Sequence, residues 1–193
     1  MGKKAIPIGI ENFEDIIKDN YYYVDKSMLI EDILVNRAAV TLFTRPRRFG
    51  KTLNMSMIKY FFDVRNKDEN RKLFEGLKIF GSEYMKEQGK YPVIFVSLKD
   101  LRGDTWEDTF ENLKSFISDL YAEFEDMREI MNKRDKIKFD KIFYEEEKGD
   151  YETALKLLSN YIYKYYGKKV IILIDEYDAP IINAFDKGYY NEA

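Results

Sequence analysis

The stretch from Lys168 to Pro180, KKVIILIDEYDAP, constrains the fold more than any other part of the chain. Five consecutive apolar residues, Val170 to Ile174, run directly into Asp175 and Glu176. A strand without a polar face has to be covered on both sides, as strands are in a parallel sheet flanked by helices. Two more short apolar runs read as strands, AAVTLFT (Ala38 to Thr44) and YPVIFVSL (Tyr91 to Leu98). The segments between them have helical period. Leu53, Met57, Ile58, Phe61 and Phe62 recur after Gly50, and Trp106, Phe110, Leu113, Ile117, Leu120 and Phe124 recur from Thr105. A further helix is expected with Asp150 as its cap, carrying Ala154, Leu158, Tyr161 and Ile162 and stopping at Gly167. The order is βαβαβ. It predicts an α/β fold with a mainly parallel sheet and helices on both faces.

Ahead of the first strand, Asn12 is placed to cap a short helix with Phe13, Ile16 and Ile17 on one face, and Asp25 to cap a second one. Residues 123–150 are the most charged part of the chain and show weak periodicity, which suggests a helical surface insertion.

Composition narrows the chemistry. The chain has no cysteine and no histidine, so thiol chemistry, Ser-His-Asp triads and His-based zinc sites are excluded. Catalysis would have to use carboxylates, Lys, Arg, hydroxyls or a metal held by oxygen. With 193 residues, 45% hydrophobic and 35% charged, the chain suits a soluble domain with a sizeable core. No apolar run approaches the roughly 20 residues a membrane helix needs, and no signal peptide is readable. The expectation is a cytoplasmic protein without a membrane partner. A net charge of -3 argues against whole-surface nucleic-acid binding.

One basic segment stands out, TRPRRFGKTL (Thr44 to Leu53). A loop between strand and helix presents backbone N–H groups with no intrahelical partner, and the helix dipole adds to their pull on anions. Lys51 suits the outer phosphates of a nucleotide, and the Thr52 hydroxyl suits Mg²⁺. A Gly-Lys-Thr/Ser triplet arises by chance in roughly one in ten chains of this length, so its weight comes from the strand before and the helix after. Arg45 stands where the usual phosphate loop has its first glycine, and Pro46 removes one N–H. The charges of Arg45, Arg47 and Arg48 would substitute for part of that lost contact; the alternative is that they bind a nucleic-acid backbone. At the other strand end, Asp175 is the candidate Mg²⁺ holder and Glu176 the candidate base that activates water.

The motifs IPIGIENFEDII, YYYVDKSMLI, TLFTRPRRFGKTLNMSMIKYFFD and VIILIDEYDAPI together resemble the N-terminal part of the prokaryotic AAA-ATPase-like proteins. That family is a branch of P-loop ATPases allied to the STAND and AAA+ groups. The resemblance implies a P-loop NTPase fold of three layers, αβα, incomplete at the C-terminus. It implies ATP and Mg²⁺ as cofactors. It makes Arg45, Pro46, Arg47, Arg48, Phe49, Gly50, Lys51, Thr52 and Leu53 a variant Walker A loop, and Asp175 and Glu176 a Walker B pair. Lys51, Asp175 and Glu176 become the catalytic residues, and Thr52 and Asp175 the metal ligands. Residues 1–36 form an N-terminal helical segment and 37–193 the ATPase core. The implied function is Mg-dependent hydrolysis of the ATP γ-phosphate driving a conformational change. The alternative is a STAND-like switch with little turnover, or an inactive fragment. Family members commonly add a C-terminal nuclease-like domain, through which nucleic acid could be engaged. The strand expected between those ending at Thr44 and Ile174 is missing here, so these two are expected to pair directly or to self-associate.

Overall fold

The computed structural model describes residues 4–44 and 49–192. The chain divides into two compact units, Met1–Val93 and Ile94–Ala193.

In the first unit Asn12 accepts a hydrogen bond from the Glu14 N–H (2.9 Å) and starts helix α1 (Phe13–Lys18). Helix α2 (Leu29–Asn36) follows, then α3 (Lys51–Phe62) and α4 (Lys67–Lys72). Helix α3 is the spine of this unit. It buries Met55, Met57, Ile58, Phe61 and Phe62. Phe61 and Phe13 both pack their rings against Phe74, with centroids 5.3 and 5.2 Å apart. Each such side chain contributes about 1.5–3 kcal/mol by leaving water. Polar contacts set the register of α1 on α3: the Phe13 N–H donates to Ser56 Oγ (3.1 Å), and Tyr60 donates to Glu14 (3.0 Å).

Asp25 does not cap α2, which begins four residues beyond it, after Met28. Its carboxylate accepts from the backbone N–H of Ser27 and of Lys78, each at 2.8 Å. The buried Ser27 hydroxyl in turn accepts from the Ile79 N–H (3.2 Å). Asp25 and Ser27 thus clasp the short 3₁₀ turn Lys78–Gly81 to the entry of α2. The turn was hidden in the sequence because it has no apolar period of its own.

The strand expected over Ala38–Thr44 does not form. These residues have no strand structure, and Val40 and Leu42 are 86% and 65% exposed. The reason is the ladder: an apolar, β-prone run becomes a strand only when a neighbour takes its N–H and C=O groups, and among the described residues none does.

The second unit holds the sheet. Strands β1 (Val93–Ser97) and β2 (Ile171–Asp175) form a two-stranded parallel pair. The architecture shown is therefore mixed α/β, mostly helical, with a small parallel sheet. The crossover carries α5 (Trp106–Ala122), α6 (Lys133–Phe143) and α7 (Ala154–Tyr166), and α8 (Ala179–Lys187) follows β2. Thr105 caps α5 by accepting from the Asp108 N–H (3.1 Å), and Gly167 ends α7 in the left-handed region at φ 62°. Asp150 does not cap α7, whose N-cap is Thr153; its carboxylate instead accepts from the Thr153 N–H (3.3 Å) just ahead of the helix. Ile94 and Val96 of β1 pack with Leu120, Tyr121, Leu158 and Ile162. The charged segment 123–150 supplies Phe124, Met127, Phe139 and Ile142 to the same core. Arg128 pairs with Asp140 across it (2.5 and 2.9 Å). No helix among the described residues is long and apolar enough to cross a membrane.

Two outcomes test this description. Replacing Val40 and Leu42 together by serine should change stability by less than about 0.5 kcal/mol in a urea melt, as for other exposed sites. A buried strand would lose several times that. Asp25→Ala should cost about 1 kcal/mol at neutral pH, a value discounted for the carboxylate's partial exposure. Burial works to raise the Asp25 pKa, but hydrogen bonds from Ser27 and Lys78 and the Lys78 charge hold it below the usual carboxylate range. A depressed native pKa stabilises above the unfolded value, about 3.9, and that contribution fades as the pH falls toward the native value. Wild type and Asp25→Ala should therefore differ at pH 7 and converge as the pH drops below about 3.9.

Candidate functional site

In the first unit the candidate loop delivers the chain into α3 through Gly50. Gly50 has φ 71° and ψ 32°, a left-handed conformation that glycine adopts without steric cost. Helix α3 begins at the next residue, and the Asn54 N–H closes its first turn on the Gly50 carbonyl (3.0 Å). No acidic residue occupies that first turn, so nothing there opposes an anion at the N–H groups. Lys51, Thr52 and Leu53 are half-buried, and Phe49 is exposed. Arg45, Pro46, Arg47 and Arg48 lie outside the described residues.

Lys51 shares a recess with Leu29, Phe43, Asn54, Met55 and Ile58. Asn54 was not singled out from the sequence. It is buried, and its side-chain carbonyl oxygen has no hydrogen-bond partner among the described residues. The recess measures about 10 Å³, close to what one water centre needs. A polar amide set between the apolar Leu53 and Met55 is the signal that could have pointed to it.

In the second unit β2 ends on Asp175, which is 1% exposed. The Asp175 backbone carbonyl accepts from the Leu98 N–H (3.0 Å), which locks the end of β2 to the end of β1. One side-chain oxygen of Asp175 accepts from the Glu176 N–H (3.0 Å). Glu176 is half-buried at φ 51°, in the left-handed region that a non-glycine residue enters at a cost of about 1–2 kcal/mol. Its carbonyl accepts from the Ala179 N–H (3.0 Å), closing the tight turn into α8. Strain of this kind gathers where a side chain must be aimed for a purpose. Each expected residue pair is thus presented at an element end within its own unit: Lys51–Thr52 at a helix start, Asp175–Glu176 at a strand end.

Among the described residues no cluster of three or more acidic, His or Cys side chains could hold a metal ion. Each unit offers oxygen donors of its own, the Thr52 hydroxyl in the first and the Asp175 carboxylate in the second, and oxygen is the donor type that Mg²⁺ takes.

With this geometry in place, comparison with known proteins identifies the family. The profile of a family described as predicted AAA-ATPase matches residues 7–193, and the chain belongs to that AAA-ATPase-like family. The family description carries an ATPase-like role and points to nucleotide use with a metal ion. The chain is also similar to an uncharacterized protein in the vnfD 5′ region of Azotobacter chroococcum mcd 1. Identity is 27% over 186 residues, covering 95% of this chain and 31% of the relative. The chain therefore spans about a third of that relative's length. No solved structure matches it.

The backbone at position 176 can be tested apart from any activity. Glu176→Gly should be at least as stable as wild type in thermal melts, because glycine occupies φ 51° freely. Glu176→Val should lose about 1–2 kcal/mol, since a β-branched residue is costly there. Equal stability of the two variants would mean that position 176 is not held left-handed.

Proposed function

We propose that the chain is a nucleotide-binding P-loop ATPase module that uses ATP and Mg²⁺. The observation that carries this reading is the start of α3. A left-handed glycine hands the chain to a helix whose first residues are Lys51 and Thr52 and whose first turn has no acid. It is joined by membership in a family described as predicted AAA-ATPases. On this reading the three-layer P-loop fold is the parent architecture, and residues 1–36 are a helical segment packed on the core formed by 37–193.

The roles follow from the chemistry of each group. The N–H groups at the start of α3 and the Lys51 ammonium hold the outer phosphates. Arg45, Arg47 and Arg48 add positive charge along the loop, while Phe49, Gly50 and Leu53 shape it. The Thr52 hydroxyl and the Asp175 carboxylate hold Mg²⁺, which supplies charge neutralisation at the phosphate oxygens when bound. Glu176 accepts a proton from the attacking water. Its left-handed backbone directly after the buried Asp175 is consistent with this role.

Lys51→Ala should weaken nucleotide binding by roughly 1.5–3 kcal/mol, read by calorimetric titration with ATP and Mg²⁺. Unchanged affinity would remove Lys51 from the phosphate site. Glu176→Gln should retain binding and lose phosphate release, whereas Asp175→Asn should lose the Mg²⁺ dependence of binding as well. Turnover measured beside affinity separates a hydrolase from a switch that holds nucleotide. Wild-type phosphate release by Glu176→Gln would discard the general-base assignment.

A further inference from the structure

One face of α3, made of Lys51, Asn54, Met55 and Ile58, lines the small recess whose other walls are Leu29 and Phe43. The spacing is that of helix neighbours one turn apart. Asn54 is the misfit on that face. It is 5% exposed, and its side-chain carbonyl oxygen has no hydrogen-bond partner among the described residues. Leucine would suit the apolar walls, form helix more readily and leave no polar atom unmet. Asparagine here costs stability on both counts, and a buried polar atom without a partner calls for an explanation.

The walls narrow the search for that partner. Leu29, Phe43, Met55 and Ile58 have no side-chain hydrogen-bond donor, so among the described lining residues Lys51 is left to supply one. Side chains on a helix lean toward its N-terminus, which tilts Asn54 back toward the turn that carries Lys51. The recess, about 10 Å³, has room for the centre of one water. An ammonium carries three N–H donors on a flexible stem, so one can be spent on an anchor without emptying the group.

We propose that Asn54 is a positioning residue for Lys51: through a single water seated in the recess, its carbonyl oxygen takes one of the ammonium N–H groups and leaves the others aimed at the phosphates of a bound nucleotide. This rests on the nucleotide reading of the α3 start and gives that reading a reason for a buried amide three residues past the lysine. A lysine with an untethered stem loses much rotamer freedom when a phosphate captures it. A tether set before binding reduces that loss.

The experiment has one arm without nucleotide and one with it. In the free protein carrying isotope-labelled lysine, proton exchange of the Lys51 ammonium is followed by NMR and assigned by its disappearance in Lys51→Arg. It should be several-fold faster in Asn54→Leu. In calorimetric titration with ATP and Mg²⁺, Asn54→Leu should bind about fivefold to tenfold more weakly than wild type. In a Lys51→Ala background the same substitution should change affinity by less than about twofold, because the group it positions is gone. Thermal melts of Asn54→Leu should be no lower than those of wild type. Asn54→Ala, which adds no bulk, repeats the exchange and affinity comparisons if leucine does not fit. Unchanged Lys51 exchange, an equal affinity loss with and without Lys51, or a lower melt with wild-type affinity would each overturn the proposal and leave the nucleotide reading standing. Faster exchange in the variants of a protein that binds no ATP would instead sink the nucleotide reading, and the phosphate-aiming role with it, while the tether between Asn54 and Lys51 stands.

Discussion

The parallel pairing of β1 with β2 is the constraint on which the second unit rests. Parallel neighbours cannot be joined by a tight turn, so the chain between them must cross over. The residues of that crossover form α5, α6 and α7, and their apolar faces make the core against Ile94 and Val96. The same pairing sets where β2 stops. The Leu98 N–H holds the carbonyl of Asp175, so a buried carboxylate stands at the carboxyl end of the sheet. In parallel sheets that end is where ligands gather. Glu176 then turns away through a left-handed backbone, which packing elsewhere in the unit has to sustain.

The first unit solves a different problem, how to make a helix start rigid enough to present its N–H groups. Helix α3 is buried along most of its length and held by Phe13, Phe61 and Phe74 and by the hydrogen bond between the Phe13 N–H and Ser56. Its first turn, Lys51 to Leu53, is left half-exposed. A site borne on an anchored helix keeps its geometry better than one borne on a loop. The Asp25–Ser27 clasp serves the same end by fixing the entry to α2, whose Leu29 lies against Lys51.

Much of this could be read from the residues alone. The helical spacing of Met57, Ile58, Phe61 and Phe62, the cap at Asn12, the helix start at Thr105 and the stop at Gly167 are local matters. They depend on a few neighbouring residues and on backbone geometry, and all appear where expected. The motifs carried the family as well, because Gly-Lys-Thr and Asp-Glu concern neighbours in sequence. Strand formation was different. Tyr91–Leu98 and Lys169–Ile174 found each other, while Ala38–Thr44 found no strand partner among the described residues and lies mostly exposed. A strand's hydrogen bonds go to another segment, so no property of its own residues decides whether it forms. The orphaned amide of Asn54, the strained φ of Glu176 and the bond from Tyr189 to Asn183 also belong to the tertiary structure. Each depends on which groups distant in sequence, or on which side of a turn, are brought within about 3 Å of one another.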